Sequence, residues 1–146
     1  MNATDARARQ GHRLLQVGVA LFLFTSFWGF AIPVVAAPRL GLSVHTLSAL
    51  QGVMLIALGL IWPRLQLSAL MVRSAFWLLI YATLAILAAF VLGAVWSAGA
   101  ETMPLAAGTA HGSSFQESAI RLIAYSSAPT GIIAFALIFW GLRVAP

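Results

Sequence analysis

The sequence predicts an all-α integral membrane protein, a four-helix bundle in which residues 1–146 form one membrane domain. Three observations predict it. The chain is 62% hydrophobic and 8% charged, whereas soluble domains carry about a quarter charged residues. Apolar runs recur four times along the sequence, each long enough to cross the ~30 Å hydrocarbon core. Runs of that length are helices rather than barrel strands, and a bilayer admits little else.

The first span is expected over about 14–35, from Leu14 to Val35. The polar segment before it runs straight into the apolar one, which reads as a retained helix rather than a cleaved leader. Pro38 and Gly41 mark the turn that follows. The second span is expected over about 44–62, stopped by Pro63, and the third over about 74–96. A loop rich in Gly, Ala, Ser and Thr then leads to the fourth span, over about 115–142. Ser113 or Ser114 is placed to cap that last helix, with Gln116 or Glu117 reaching back. Trp62, Trp77, Trp96 and Trp140 stand near span ends, where indole rings anchor at the interface.

The net charge of +5 comes from arginine alone. The arginines are scattered singly, so nucleic acid is not an expected partner; the lipid bilayer is. Arg7, Arg9, Arg13, Arg64, Arg73 and Arg143 fall on one side of the predicted topology, and Arg39 and Arg121 on the other. The positive-inside rule places both termini in the cytoplasm of a bacterial inner-membrane protein. There is no cysteine, so disulfides, iron–sulfur clusters and thiolate metal sites are excluded. Walker, dinucleotide-binding, GxSxG and HExxH motifs are also missing, which leaves redox-neutral chemistry open.

Ionisable groups inside a membrane are expensive and mark candidate sites. His45, His111, Glu117 and Arg121 fall near the outward ends of the second and fourth spans, at one expected depth. His45 heads a helical face with Ala49, Gly52 and Gly59. That strip leaves room for a planar macrocycle beside a histidine ligand, and it equally describes a packed helix seam. Glu117 and Arg121, four residues apart, read either as a local ion pair or as a site in which Glu117 accepts a proton. His111, in the loop just before, is a second candidate acid or base.

Three segments carry a resemblance: ARARQGHRLLQVGV, PRLGLSVHTLSALQGVMLIALGLIWPRLQL and AAGTAHGSSFQE. They resemble the bacterial hydroxylaminobenzene mutases, and more distantly the styrene oxide isomerases. The resemblance implies conversion of hydroxylaminobenzene to 2-aminophenol during nitroaromatic degradation. It also implies a homotrimer with haem b, His45 as the metal ligand and Gln51 at an active-site amide position; with His45 as ligand, the spacing puts Ala49 and Gly52 beside the cofactor. A tyrosine of the isomerases falls on Phe90 here, and Tyr81, earlier on the same helix, is not a substitute for it. The chemistry implied is Lewis-acid-assisted hydroxyl migration, with Gln51, Glu117 and His111 as the catalytic candidates. The alternatives are the same reaction without haem, driven by acid and base residues, and a haem-carrying electron-transfer subunit.

Overall fold

The computed structural model describes residues 3–143. Met1, Asn2 and the last three residues, which the sequence assigns to the single domain and to cytoplasmic termini, lie outside the described residues. The protein is 84% helical, with no strand among the described residues. Four long helices, α1 (Ala3–Ala31), α2 (Pro38–Ile61), α3 (Ala69–Trp96) and α5 (Ser114–Gly141), are each long and apolar enough to cross a membrane; α4 (Pro104–Ala107) is one turn in the loop between α3 and α5. Between 17% and 39% of the residues in their most apolar windows are buried inside the protein. Most of that apolar surface therefore faces outward, as a lipid solvent requires.

The ends of the helices follow from local chemistry. Helix α1 begins at Ala3 rather than Leu14, because Ala, Arg and Gln sustain a helix through the polar segment. That segment is also held from outside. Arg7 Nη2 donates to the Leu67 carbonyl, and Gln10 Oε1 accepts the Trp62 indole N–H at 3.3 Å. Pro38 is the first residue of α2, not part of a turn before it. The proline ring presets the helical φ and has no N–H to waste at that position. Ser68 caps α3, accepting the Met71 amide at 3.4 Å. Ser113 caps α5, with the Gln116 side chain accepting the Ser113 amide in return.

Packing joins these helices into an open bundle. Antiparallel α1 and α2 form one pair, α3 and α5 another, and the pairs meet where α2 packs on α3; α5 does not pack along α2 or α1. The α1–α2 seam is built from small residues. A Cβ on Gly18 would stand 2.8 Å from the Gly52 carbonyl oxygen, and one on Gly59 would stand 2.8 Å from that of Gly11. Such approach lets backbones make dispersion contacts that lipid cannot match. Further along the seam Thr25 and Ser48 share a hydroxyl hydrogen bond of 2.7 Å, worth about 0.6 kcal/mol inside a membrane.

Trp62 does not anchor at the interface. It is fully buried and meets the Phe76 ring edge-on at 6.2 Å. Trp77 and Trp140 are exposed as an interfacial role requires, and Arg143 lies 4.3 Å above the Trp140 ring. At the same end of the bundle the Gln66 amide donates to the Gly141 carbonyl at 2.7 Å. The start of α1, the α2–α3 turn and the end of α5 thus share one face of the bundle.

Candidate functional site

His45 lies in the second turn of α2, half-buried at the α1–α2 seam. Its Nδ1 is buried and has no hydrogen-bond partner among the described residues. Gly29 of α1 faces that edge: a Cβ there would lie 3.6 Å from Nδ1 and 3.5 Å from Cε1. The imidazole thus lies against the backbone of α1 with its Nδ1 uncommitted. Among the described residues no three His, Cys, Asp or Glu side chains gather to hold a metal ion. A metal that brings its own ring and needs one protein ligand fits this donor set, with His45 as the ligand. The platform expected below it is not open, however. Gly52 is buried with the Gly18 carbonyl 3.0 Å from where its Cβ would be, and the Phe22 ring at 3.2 Å. Helix α1 fills the strip meant for the cofactor, and of that strip Ala49 is half-buried.

Gln51 faces elsewhere. Six residues beyond His45, it is turned about 120° around the helix. Its Nε2 donates to the Thr83 carbonyl of α3 at 3.1 Å. The side chain is 7% exposed, and its Oε1 is buried with no partner among the described residues. A carbonyl can only accept, so the bond to Thr83 fixes which end of the amide is spent. Gln51 lines a groove of about 500 Å³ between α2, α3 and α5. Met54, Leu79, Ile132 and Phe135 make its apolar walls, and Ser127 and Gly131 of α5 line it too. The Ser127 hydroxyl is engaged with the Ala124 carbonyl at 2.6 Å.

The first turn of α5 holds a third arrangement. Glu117, 4% exposed, accepts the amides of Gly99 at 2.8 Å and Gly112 at 3.0 Å on Oε1, and that of Glu101 at 3.3 Å on Oε2. Its partner is the loop backbone, not Arg121. Arg121 reaches Glu101 instead, at 3.0 Å, in an exposed ion pair. The expected i,i+4 pair gives way because the loop brings a second carboxylate to the arginine and three donors to Glu117. His111 is exposed on the same loop. The loop also crosses to α2, where Arg39 Nη2 donates to the Leu105 carbonyl at 3.0 Å.

The groups expected at one depth are therefore not gathered into one site. Glu117 is ten residues from Ser127 on α5, about 15 Å along the axis. His45 meets α1, Gln51 meets α3, Glu117 in the first turn of α5 meets the loop before it, and His111 lies on that loop. Phe90 is half-buried, and Tyr81 bonds Ser126 at 2.7 Å. Thr83, Ser127 and Gly131 escaped notice in the sequence. The run SSAPTG, with Pro129 amid small residues inside an apolar span, was the available signal.

Comparison with known proteins gives concordant results. The styrene oxide isomerase family matches residues 10–143. Hydroxylaminobenzene mutase HabB of Ectopseudomonas oleovorans is 43% identical over 144 residues, covering 99% of this chain and 87% of that protein. Hydroxylaminobenzene mutase HabA of the same organism is 34% identical over 129 residues, covering 88% of this chain and 96% of that protein. No solved structure matches significantly.

Proposed function

The chain belongs to the styrene oxide isomerase family, and from that premise we propose that this multi-pass membrane isomerase is a hydroxylaminobenzene mutase, forming 2-aminophenol. The single observation that carries the site is the unpaired Gln51 Oε1 beside an apolar groove. An aromatic ring suits such walls, and a hydroxylamine group brings the donors that the amide oxygen lacks.

The reaction is an internal exchange. The N–O bond breaks, a C–O bond forms at the ortho carbon, that carbon loses a proton and the nitrogen gains one. Gln51 orients the hydroxylamine by accepting from its N–H or O–H. Met54, Leu79, Ile132 and Phe135 keep water from the ring, which limits stray addition. His45, by its uncommitted imidazole, is the residue that would hold haem b, and the Gly52 face that α1 covers would not be its platform. Haem bound there supplies a Lewis-acidic iron able to draw electron density from an N–O bond. Glu117 shapes the outer loop through its three amide bonds. His111, exposed on that loop, is the imidazole left to exchange protons with water.

The proposed homotrimer has support in the same geometry. His45 and Gln51 face different sides of one helix, so neither completes the other within a chain. A closed ring built on one heterologous contact would bring the His45 side of one subunit against the Gln51 side of the next. The arginine asymmetry supports a bacterial inner membrane with cytoplasmic termini.

Purified protein supplied with hydroxylaminobenzene tests the reading. The expected result is 2-aminophenol formation and a Soret band, with His45→Ala losing both while remaining folded. Active but colourless wild-type protein would overturn the haem assignment, and a folded, coloured protein without turnover would overturn the reaction.

A further inference from the structure

We infer that an anionic phospholipid seats in a groove along the bilayer face of α3, with its phosphate on Arg73 and one acyl chain running past Trp77 to Leu84. The inference stands apart from the mutase reading. Two cavities make up the groove, and they share Trp77. The one toward the start of α3 has a volume of about 370 Å³ and is lined by Leu70, Arg73, Ser74, Trp77 and Leu78. The next, of about 490 Å³, is lined by Trp77, Tyr81 and Leu84 of α3 together with Ile123 of α5. Arg73, Trp77, Tyr81 and Leu84 recur at the spacing of one helical face, and all four are exposed. Eleven residues of helix take the chain from Arg73 to Leu84, a rise of about 16 Å. That is about half of the ~30 Å hydrocarbon core, so the groove is one leaflet long.

Polarity is graded along the groove as it is along a lipid. At one end Arg73 has no carboxylate within ion-pair reach among the described residues. A planar guanidinium donates two parallel N–H bonds to a phosphate, and Ser74 lies beside it. Past Trp77 the polar side chain on the groove is Tyr81, and its proton is spent. Ser126 Oγ donates to the Ile123 carbonyl at 2.8 Å, so the Tyr81 hydroxyl donates to Ser126 at 2.7 Å. That end takes hydrocarbon rather than a headgroup. The charge of the whole face selects the sign of the lipid. Of the three carboxylates in the chain, Asp5 alone shares this face with the six arginines; Glu101 and Glu117 are at the other. Basic clusters at a membrane surface draw anionic lipid. A second copy of the chain would bring arginines against arginines and has no acidic cluster to offer them.

Full-length protein, purified and stripped of lipid in detergent, tests this. It is titrated with phosphatidylglycerol or phosphatidylcholine of matched acyl chains, and bound lipid is counted by native mass spectrometry. Wild type should hold phosphatidylglycerol more tightly than phosphatidylcholine. Arg73→Gln should weaken phosphatidylglycerol by about tenfold or more, the worth of a hydrogen bond between charged groups. Arg9→Gln removes a charge from the same face outside the groove. It should weaken binding by no more than about twofold once salt at about 0.15 M screens the exposed charges. Leu84→Trp fills the chain end of the groove and should lose both lipids. If that variant does not fold, dihexanoyl phosphatidylglycerol replaces it; it keeps the headgroup without the chain and should fail to hold on wild type. Equal losses in Arg73→Gln and Arg9→Gln would mean a general field rather than a site and overturn the proposal. Undiminished lipid on Leu84→Trp overturns it too. So does a changed oligomeric mass in Arg73→Gln with lipid retention unaltered, which would make this face a contact between copies of the chain.

Discussion

The backbone amide of Gly99 donates at 2.8 Å to Oε1 of the buried Glu117, tying the end of α3 to the first turn of α5. With Gly112 and Glu101 donating as well, the carboxylate joins both ends of a loop whose interior is held by its own backbone turns, such as the Met103 amide on the Gly99 carbonyl at 2.8 Å. Glu117→Gln keeps an oxygen for Gly99 and Gly112 but turns an NH₂ toward the Glu101 amide. The expected cost is about 1–3 kcal/mol, that of one unsatisfied buried polar group, read as a lowered melting temperature and faster amide exchange at Glu101. Arg121→Gln should not rescue it, because Arg121 is bonded to Glu101 rather than Glu117. Rescue in the double variant would restore the ion pair that the sequence suggests.

The α1–α2 seam makes a steric prediction. A Cβ at Gly18 would come within 2.7 Å of Ile56 Cγ1 and 2.8 Å of the Gly52 carbonyl. Gly18→Ala should destabilise by about 1–3 kcal/mol, the usual cost of overpacking. At Gly131 the nearest atom would be Ala82 Cβ at 3.5 Å, an ordinary contact. Gly131→Ala should melt close to wild type in the same detergent. Equal effects at the two glycines would mean that the seam is looser than its geometry.

Topology has its own test. The Arg7–Leu67 and Gln66–Gly141 bonds put the described ends of α1 and α5 on one face. The excess of arginine on that face predicts that it lies in the cytoplasm. A reporter fused after the last residue should give a cytoplasmic signal. A periplasmic signal would invert the protein and put His111 and Glu117 at the inner leaflet.

The four-helix membrane fold was legible because length and hydropathy are one-dimensional properties. What a neighbour decides is not legible in the same way. Gly52 and Gly59 form the face that the spacing indicates; spacing leaves a packed helix seam and a cofactor platform both open, and α1 is what packs there. Trp62 has the position of an anchor and the surroundings of a core residue, because the helical start of α1 and Phe76 cover it. Glu117 and Arg121 have ion-pair spacing, but a loop of distant residues supplies better partners to both. Gln51 came from a resemblance; its unpaired oxygen is visible only once Thr83 is beside it.

The separation of His45 from Gln51 leads to the most demanding test. If a site needs the His45 side of one subunit and the Gln51 side of the next, neither His45→Ala nor Gln51→Met supports normal turnover alone. Co-assembled, the two variants should recover activity. A contact is complete when its histidine comes from a Gln51→Met subunit and its amide from a His45→Ala subunit. Random mixing in equal amounts makes about a quarter of contacts complete in a closed ring with one heterologous interface. Turnover of the mixture should then approach about a quarter of the wild-type value, with haem on about half of the subunits, since half retain His45. Proteins purified apart and mixed without subunit exchange should stay inactive. If the co-assembled mixture remains no more active than its two components, each chain carries its own site, and some route within the monomer must link the α1-facing imidazole to the α3-facing amide.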